Sequence, residues 1–464
     1  MDSPQHKHSP LSAVLGIVLA ASIVVAGVVA VRILTATPPQ KATTARWANA
    51  TVEDVDASHL VYANSTNASD ERNGTAENNQ TNATSANKTD KKKHEVSPAT
   101  IDAMMIGDVL MHDELVDSGY QQDGGYWFGF LFDHIRSYID EADLRMLNQE
   151  TVMGEPERGY HLTVGEVGPV MNTPTALADT EVDYGFNLIL KSTNHVLDLG
   201  HSGLAHELDY WKDAHPNMPV VGVSNPHAES RDDSQNYVDN VYIYEHDGLK
   251  VGILNYTYDT NNHYDWDLDA QYVSYLSEDK IRDDVQKARD AGAEMLIACP
   301  HWGIQYDTTP SHEEYTYAKL FCDLGVDVIF GCHPHILQPV VMLRNAEGHK
   351  TVCFYSMGNF VAAGGMETDT LVGGVARVTL QRDKNGTCSV SAASLVPTVC
   401  CYTVGPNMSA WPITEWSYDL AAQSVRSNLT PDHAYAFCSE VLGDGFDPNT
   451  GVFTLNMDDE GIEL

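Results

Sequence analysis

The residues of this sequence most suited to chemistry are two histidines that follow an apolar segment. His333 and His335 stand two positions apart, directly after the apolar residues 326–330 and Gly331. Such a segment is typical of a buried strand in a parallel sheet, and the glycine permits a sharp turn as the chain leaves the sheet. Open α/β sheets bind ligands at the carboxyl ends of their strands, and neutral imidazole is the most common metal-binding side chain. The pair therefore indicates a metal site, although a His-x-His pair alone fits a surface or core position equally well.

Further polar residues follow apolar segments upstream, and they strengthen the metal interpretation. They are Asp108, Glu150, the pair Asn194 and His195, and His301. If the strands share one sheet, these side chains meet at one edge of it. Carboxylate, imidazole and amide ligands together suit Mn²⁺, Zn²⁺ or Fe²⁺ better than Ca²⁺, which prefers oxygen alone. One ion or a close pair of ions could be held there, and a pair could bind phosphate and activate a water molecule.

Each of these residues also has a purely structural interpretation. Asp108 could cap a helix, Asn194 could lie in a turn, and His301 could be a hydrogen-bonded core residue. The recurrence of the pattern after five separate segments favours the functional interpretation over the joint structural one.

The elements that must position these residues are strands alternating with helices. Strands are predicted at 103–106, 144–147, 186–190, 220–223, 250–256, 295–299, 326–330 and 352–355. Helices are predicted at 128–141, 175–181, 203–214, 277–291 and 313–324. This alternation predicts βαβ units and a mainly parallel sheet, and so an α/β fold. In addition, Asp247-Gly248 predicts a hairpin turn, and the segments 372–381 and 389–399 predict an antiparallel pair.

The segment before residue 98 predicts an anchor and a tether rather than a folded domain. After a short tail at 1–10, residues 11–31 carry no charge, which is long enough to cross a bilayer as a helix. A cleaved signal peptide normally has a shorter apolar region. We therefore predict a single transmembrane anchor at 11–34, a flexible linker at 35–97 that is too polar to form a core, and an extracellular domain. The basic residues on the two sides of the anchor do not decide this orientation.

The folded part is predicted to comprise a main domain at 98–400 and a C-terminal appendage at 401–464.

The negative charge of the folded part argues against polyanionic partners. The formal net charge of -38 falls entirely after residue 97, because residues 1–97 contain equal numbers of acidic and basic side chains. Binding to nucleic acid depends on Lys and Arg, so nucleic acid is not expected as a partner. Polyanions are disfavoured as well, unless bound metal ions offset the field.

The eight cysteines all follow residue 298. Four lie in apolar segments and are predicted to be buried thiols: Cys299, Cys322, Cys332 and Cys353. The other four could pair in an exported domain, with a connectivity that the sequence does not determine: Cys388, Cys400, Cys401 and Cys438.

Taken in order, the polar clusters form a set of motifs over residues 101–361. They are Gly107-Asp108-Val109-Leu110-Met111, Asn148-Gln149-Glu150, Asn194-His195-Val196-Leu197-Asp198-Leu199-Gly200, His301-Trp302-Gly303, Gly331-Cys332-His333-Pro334-His335 and Tyr355-Ser356-Met357-Gly358-Asn359-Phe360. The set resembles the CapA-type poly-γ-glutamate capsule-synthesis proteins of the calcineurin-like metallophosphoesterase superfamily. The resemblance implies a four-layer α/β/β/α metallophosphoesterase-like sandwich and a membrane-anchored, outward-facing protein.

The resemblance also implies roles for the matched residues. The implied metal ligands are Asp108, Glu150, Asn194, His301, His333 and His335. Asp108 and His335 would hold a first ion, Glu150 would bridge, and the remaining three would hold a second ion. His195 would be the catalytic proton donor to a leaving oxygen, oriented by Asp198.

Two departures from the superfamily pattern leave catalysis open. The superfamily opens with Asp-x-His, whereas Leu110 occupies the histidine position here and His112 is off register. Glu150 also replaces the usual aspartate. The expected function is therefore synthesis or export of poly-γ-glutamate or a similar anionic capsule polymer, with other polymer-synthase subunits as partners. An active phosphoesterase on an extracellular phosphate ester and a non-catalytic scaffold on the same fold are the alternatives.

Overall fold

The computed structural model describes residues 97–154, 156, 159–164, 168–227, 240–363 and 367–464. All of them belong to the same compact unit. The predicted anchor at 11–34 and nearly all of the predicted linker lie outside the described residues. In the part that the structure describes, no helix has both the length and the apolar character needed to cross a bilayer.

The strands and helices are numbered in chain order. The strands are β1 (Ala99–Val109), β2 (Leu144–Gln149), β3 (Thr163–Val164), β4 (Pro169–Val170), β5 (Leu188–Leu190), β6 (Val220–Val221), β7 (Val241–His246), β8 (Leu249–Thr257), β9 (Met295–His301), β10 (Val328–Phe330), β11 (Val340–Arg344), β12 (Lys350–Phe354), β13 (Asn359–Val361), β14 (Val372–Arg382), β15 (Cys388–Cys400), β16 (Ala410–Pro412), β17 (Phe446–Asp447), β18 (Val452–Thr454) and β19 (Ile462–Glu463). The α-helices are α1 (Asp113–Gly119), α2 (Arg136–Asp140), α3 (Ala176–Asp183), α4 (Gly200–Ala214), α5 (Trp266–Asp269), α6 (Glu278–Asp290), α7 (His312–Asp323), α8 (Tyr418–Gln423) and α9 (Pro431–Leu442). Short 3-10 helices cover Gly129–Leu131, Asp133–Ile135, Thr368–Leu371 and Gly443–Gly445.

Two large sheets organise the fold. The first has the order β17-β18-β15-β14-β1-β2-β5-β6, with β13 paired to β1 and β16 paired to β15. The second has the order β19-β11-β12-β10-β9-β8-β7. The parallel strands β1, β2, β5 and β6 and β8, β9, β10 and β12 form the centres, and antiparallel strands flank them. The predicted α/β class is confirmed, and the sheets are mixed rather than mainly parallel.

Alternating side chains on the strands build two layers of core. On β9, Met295 and Ile297 lie in the core that the two sheets share. Leu296 and Ala298 point to the opposite face and pack with Phe321 of α7. Successive residues of a strand face opposite sides of its sheet. The second sheet is therefore covered by the first sheet on one face and by helices on the other.

Two local predictions are confirmed at the level of capping and turn geometry. The predicted helix at 277–291 is α6, whose N-cap Ser277 accepts a hydrogen bond from the backbone N–H of Lys280. Gly292 ends it with a φ of 94°, as expected for a glycine after a helix. In the β7–β8 hairpin, Asp247 and Gly248 have φ values of 49° and 73°, the left-handed pair that an Asp-Gly turn favours.

The prediction of one helix at 128–141 was wrong. The segment forms two 3-10 turns followed by the short α2. The consecutive residues Phe130, Leu131 and Phe132 are all buried, as are Phe128 and Ile135. A regular α-helix on a core cannot bury three consecutive side chains from one face, so the chain winds more tightly and irregularly here.

Residues 401–464 contribute strands to both sheets. They add β16, β17 and β18 to the first sheet and β19 to the second. Trp416, Leu429 and Cys438 from this segment are buried in the shared core. All eight cysteines of the chain lie in the described part and are free thiols.

Candidate metal centre

The predicted site residues lie at the carboxyl ends of strands, but these strands belong to two sheets. Asp108, Glu150 and Asn194 follow or end β1, β2 and β5 of the first sheet. His301 ends β9, and His333 follows β10, both in the second sheet. The expectation of a single sheet edge is therefore corrected. The residues come from the adjoining edges of two sheets. The strands of these sheets pack on a common hydrophobic core but are not hydrogen-bonded to one another in one sheet.

The candidate ligands form two groups that share one carboxylate. Asp108, Glu150 and His335 form the first group, and Glu150, His301 and His333 form the second. Within each group the potential ligand atoms lie within 4.8 Å of one another. All five side chains are buried. The same division between two ions is implied by the family resemblance described above.

The potential ligand atoms lie close together within each group. The Nδ1 atom of His335 lies 3.1 Å from Oδ2 of Asp108, and its Nε2 atom lies 3.7 Å from Oε1 of Glu150. The Nε2 atom of His301 lies 3.5 Å from the same Glu150 oxygen and 2.9 Å from Oδ1 of Asn194. Asn194 is thereby placed beside the second group.

Buried atoms without hydrogen bonds indicate that a cation belongs here. Both carboxylate oxygens of Glu150 and Nδ1 of His333 are buried and have no hydrogen-bond partner among the described residues. An unpaired buried carboxylate is costly. A divalent cation would satisfy these atoms, and the oxygen and nitrogen donors fit the chemistry of Mn²⁺, Zn²⁺ or Fe²⁺.

The electrostatics hold both residues in the form that binds metal. Burial acts to raise the pKa of Glu150, but the charges of His335 and His301 lower it overall, so the group is a carboxylate. Burial lowers the pKa of His333, and the neighbouring imidazoles lower it further, so its ring is neutral. Metal ligands must be deprotonated, and both residues meet that requirement.

The turn that carries His333 and His335 is strained and closely packed. His333 and His335 have φ values of 95° and 57°, a left-handed region that residues other than glycine seldom adopt. A Cβ atom on Gly331 would lie 1.9 Å from the backbone oxygen of Tyr355. Only glycine fits at that position, so Gly331 allows the chain to pack directly against the backbone of Tyr355 just before the turn that presents the imidazoles.

His195 and Asp198 form a hydrogen-bonded pair beside the ligand groups. Nδ1 of His195 lies 2.7 Å from Oδ2 of Asp198, and its Nε2 lies 3.9 Å from Oε1 of Glu150. Asp198 also accepts a hydrogen bond from the backbone N–H of Met171 at 2.8 Å. Burial lowers the pKa of His195, but the charge and hydrogen bond of Asp198 raise it overall. The ring therefore favours the protonated form that a general acid needs.

Two asparagines within the sequence motifs orient the ligands. Asn148 donates a hydrogen bond to Oδ1 of Asp108 at 2.8 Å. Oδ1 of Asn359 lies 3.0 Å from Nδ1 of His335. They pair with Asp108 across the sheet, in β2 and β13 respectively. Their position inside the motifs was the signal that could have identified them.

The loop after β8 also lies at the site, although the sequence patterns did not identify it. The ring of Tyr258 lies 4.5 Å from the ring of His333. Asn261 accepts a hydrogen bond from the side chain of Asn194 at 3.2 Å, and its own amide nitrogen lies 3.4 Å from the His195 ring nitrogens. The signal was available, because a polar segment follows the apolar β8 as one follows the other central strands.

A buried ion pair supports the segment that carries Glu150. Lys191 and Glu207 are fully buried, and their Nζ and Oε1 atoms lie 3.2 Å apart. Lys191 also donates to the backbone oxygens of residues 149 and 151. Glu207 accepts hydrogen bonds from the side chain of Gln149 at 2.7 Å and from the backbone N–H of Met153 at 3.0 Å. The pair thus forms hydrogen bonds with the chain on both sides of Glu150.

Leu110 and His112, at the departure from the Asp-x-His motif, lie outside both ligand groups, whereas Glu150, the other departure, belongs to both. Leu110 packs in a small apolar cluster with Met171 and Ala362. The Nδ1 atom of His112 accepts a hydrogen bond from the backbone N–H of Ala363 at 3.2 Å. Burial lowers the pKa of His112 to about 4, so its ring is neutral at physiological pH.

Comparison with solved structures gives distant matches. The chain aligns with the NAD nucleotidase NadN of Haemophilus influenzae at a TM-score of 0.39 and 13% identity, over 65% of this chain and 56% of that one. It aligns with the calcineurin-like phosphoesterase YfkN of Bacillus subtilis at a TM-score of 0.35 and 15% identity, over 64% of this chain and 91% of that one.

Comparison with curated sequences and family models gives closer matches. The chain is 26% identical over 263 residues to the capsule biosynthesis protein CapA of Bacillus anthracis, covering 55% of this chain and 58% of that protein. It is 23% identical over 265 residues to the PGA biosynthesis protein CapA of Bacillus subtilis, covering 57% and 64% respectively. The match thus spans less than two thirds of either relative. The model of the bacterial capsule synthesis protein family, PGA_cap, matches residues 102–363, which is more than half of the chain, and the protein therefore belongs to that family.

Proposed function

We propose that this protein is a membrane-anchored, surface-exposed component of poly-γ-glutamate or related anionic capsule polymer synthesis or export, and that it works through a divalent metal centre. The observation that carries the metal assignment is the buried Glu150 carboxylate, shared by two ligand groups and without a hydrogen-bond partner among the described residues. Membership of the capsule synthesis family supports the biological role. The anchor at 11–34 and the four-layer metallophosphoesterase-like sandwich are part of the same proposal.

The residues support hydrolytic chemistry at a phosphoryl group as a second candidate activity. The specific observation is the buried His195–Asp198 pair next to Glu150. Divalent metal, when bound, would supply a Lewis acid and an activated water. Asp108, Glu150, Asn194, His301, His333 and His335 would hold it. His195 would donate its Nε2 proton to the leaving oxygen, while Asp198 holds Nδ1 and favours the imidazolium.

Contact with an anionic polymer would depend on the metal. The chain carries a formal net charge of -38, so it repels a polyglutamate strand at long range. Metal ions that bridge the carboxylates of the polymer would reverse this repulsion locally. The polymer therefore binds in this proposal only when the centre is loaded.

Three measurements on the purified full-length chain test the proposal. Metal analysis of protein prepared without chelator should find one or two divalent ions per chain. Failure of the metal-free protein to take up Mn²⁺ would reject the metal centre.

The rate of aryl phosphate hydrolysis with Mn²⁺ should fall in the His195→Ala variant. Equal rates in the variant and the parent protein would reject the proposed phosphoesterase role of His195. Binding of polyglutamate should require Mn²⁺, and metal-independent binding would refute the bridging role.

A further inference from the structure

In the described part of the chain, backbone strain lies mainly at the metal centre. Among the residues that the structure describes, four that are not glycine have a positive φ: Asp247, Tyr306, His333 and His335. Asp247 lies in a hairpin turn that favours this conformation, and the two histidines present ligand atoms. Tyr306, with a φ of 68°, lies in a turn in which the backbone N–H of Asp307 donates to the backbone oxygen of Ile304 at 3.5 Å, at a position that favours glycine or asparagine. Strain of this kind persists where the surrounding structure requires it, and it is a guide to functional positions.

The strained tyrosine is fastened to the turn that carries the two histidines. The backbone N–H of Tyr306 donates to the backbone oxygen of Pro334 at 2.8 Å, between His333 and His335. The ring centroids of Tyr306 and His335 lie 6.1 Å apart. The side chain is half-buried. The strained conformation therefore keeps the phenol ring beside the first ligand group.

The hydroxyl group of Tyr306 is available to a ligand. Among the described residues it has no hydrogen-bond partner, and Tyr306 contacts its neighbours through its backbone and its ring. The ordinary pKa of a tyrosine phenol is about 10, so the hydroxyl carries its proton at neutral pH. It is a donor near a centre where negative charge would be bound.

Tyr258 occupies the corresponding place beside the second ligand group. Its ring lies 4.5 Å from that of His333, and its backbone N–H donates to the backbone oxygen of His301 at 2.9 Å. The two phenols come from loops after β8 and β9, which are neighbouring strands. They flank the His333-x-His335 turn from two sides.

We propose that Tyr306 is a substrate-contacting residue, whose hydroxyl donates a hydrogen bond to a phosphoryl oxygen bound at the metal centre, with Tyr258 flanking the same position. The inference rests on the proposed function, because the metal ions must bring the phosphoryl group there. Positioned donors aimed at developing negative charge are a major source of stabilisation at such sites.

The first test compares phosphate binding to Mn²⁺-loaded, full-length protein by calorimetry. Tyr306→Phe removes only the hydroxyl, and it should raise the Kd of inorganic phosphate about tenfold, the size expected for a hydrogen bond to a charged group. Tyr242→Phe, at another half-buried tyrosine but on the edge strand β7, should leave that Kd unchanged. Both variants should bind Mn²⁺ as the parent does.

The outcomes separate this inference from the proposed function. Failure of the parent protein to bind Mn²⁺ would reject the metal centre itself. Normal Mn²⁺ and phosphate binding by Tyr306→Phe would leave the centre intact and overturn the role of Tyr306.

A second pair of variants, both at positions with a positive φ, tests whether the side chain of Tyr306 contributes to phosphate binding. Tyr306→Gly and Asp247→Gly both remove a side chain from a left-handed position, so neither should lower the thermal midpoint by more than a few degrees. Only Tyr306→Gly should weaken phosphate binding. Equal phosphate affinity in these two variants would contradict the proposal even if Tyr306→Phe proved difficult to purify.

Discussion

Glu150 is the residue on which both ligand groups depend. It is buried, it belongs to both groups, and its Oε1 atom lies 3.5–3.9 Å from three imidazole nitrogens. Asp108, by contrast, belongs to one group alone. The loss of a shared ligand should therefore affect more bound metal than the loss of an unshared one.

We expect Glu150→Gln to abolish most Mn²⁺ uptake and Asp108→Asn to reduce it less. An amide lacks the charge that a bridging ligand supplies, whereas removal of Asp108 leaves the second group intact. Metal analysis after equilibrium dialysis measures this difference. Glu347→Gln, at an exposed position, is the matched control. Equal metal content in Glu150→Gln and the parent protein would show that the carboxylate is not a ligand.

Lys191 stabilises the segment around Glu150 through its fully buried ion pair with Glu207. We expect Lys191→Met to lower the free energy of unfolding of the metal-free protein by about 3–5 kcal/mol, because Glu207 is then buried without its partner. Denaturant titration measures the change. The double variant Lys191→Met with Glu207→Gln should recover part of the loss. A single-variant cost below about 1 kcal/mol would indicate that water replaces the lysine.

At the scale of elements, helix α7 begins with a capping box that contains an unusual acid. Ser311 and Glu314 exchange hydrogen bonds between side chain and backbone at the N-terminus of the helix. Glu314 is fully buried, and its Oε1 atom has no partner within the described residues. Burial raises the pKa of Glu314 to about 7, although the hydrogen bonds from Ser311 act to lower it. The folded protein therefore keeps the acid mostly protonated below about pH 7.

This raised pKa predicts that stability falls as the pH rises. The folded pKa of about 7 exceeds the ordinary value of 4.5, so the folded state binds more protons between these pH values. The contribution is fully present below about pH 4.5 and is lost as the pH passes 7, by roughly 2–3 kcal/mol. Glu314→Gln should flatten this part of the stability profile, measured by denaturant titration from pH 5 to 8. A parallel profile in the variant would assign the pH dependence to other groups.

Elements with strong local signals were predictable from the sequence, and elements held by long-range packing were not. Ser277 and Gly292 mark the ends of α6, and Asp247-Gly248 marks the β7–β8 turn, because capping and turn chemistry are local. Phe130 and Phe132 suggested a helix that is absent, since burial on several sides, and not a helical period, determines that segment.

At the scale of the whole molecule, metal binding should stabilise the fold by joining the two sheets. Ligands come from β1 and β2 on one side and from β9 and the turn after β10 on the other. Free Mn²⁺ at a hundred times its Kd should add about 2.7 kcal/mol to the free energy of unfolding. We expect the thermal midpoint to rise with Mn²⁺ and to return after chelation. Glu150→Gln should show no rise, and an equal rise in that variant would point to binding elsewhere.

The sequence allowed the residues of the site to be predicted better than their arrangement. Polar residues after apolar strands identified Asp108, Glu150 and His301, because a strand end is a local feature. Membership of one sheet or the other is decided by pairing across hundreds of residues, so the division of the ligands between two sheets could not be predicted. Tyr306 could not be identified either, because a left-handed tyrosine leaves no mark in the sequence.

The C-terminal strands have a consequence for how the chain matures. β16, β17 and β18 belong to the first sheet, and β19 pairs with β11 in the second. These strands follow every candidate ligand along the chain, so the metal-binding residues are synthesised before the strands that cover β15 and β11. A chain that lacks residues 401–464 would hold every candidate ligand and yet expose unpaired strand edges, which are prone to self-association.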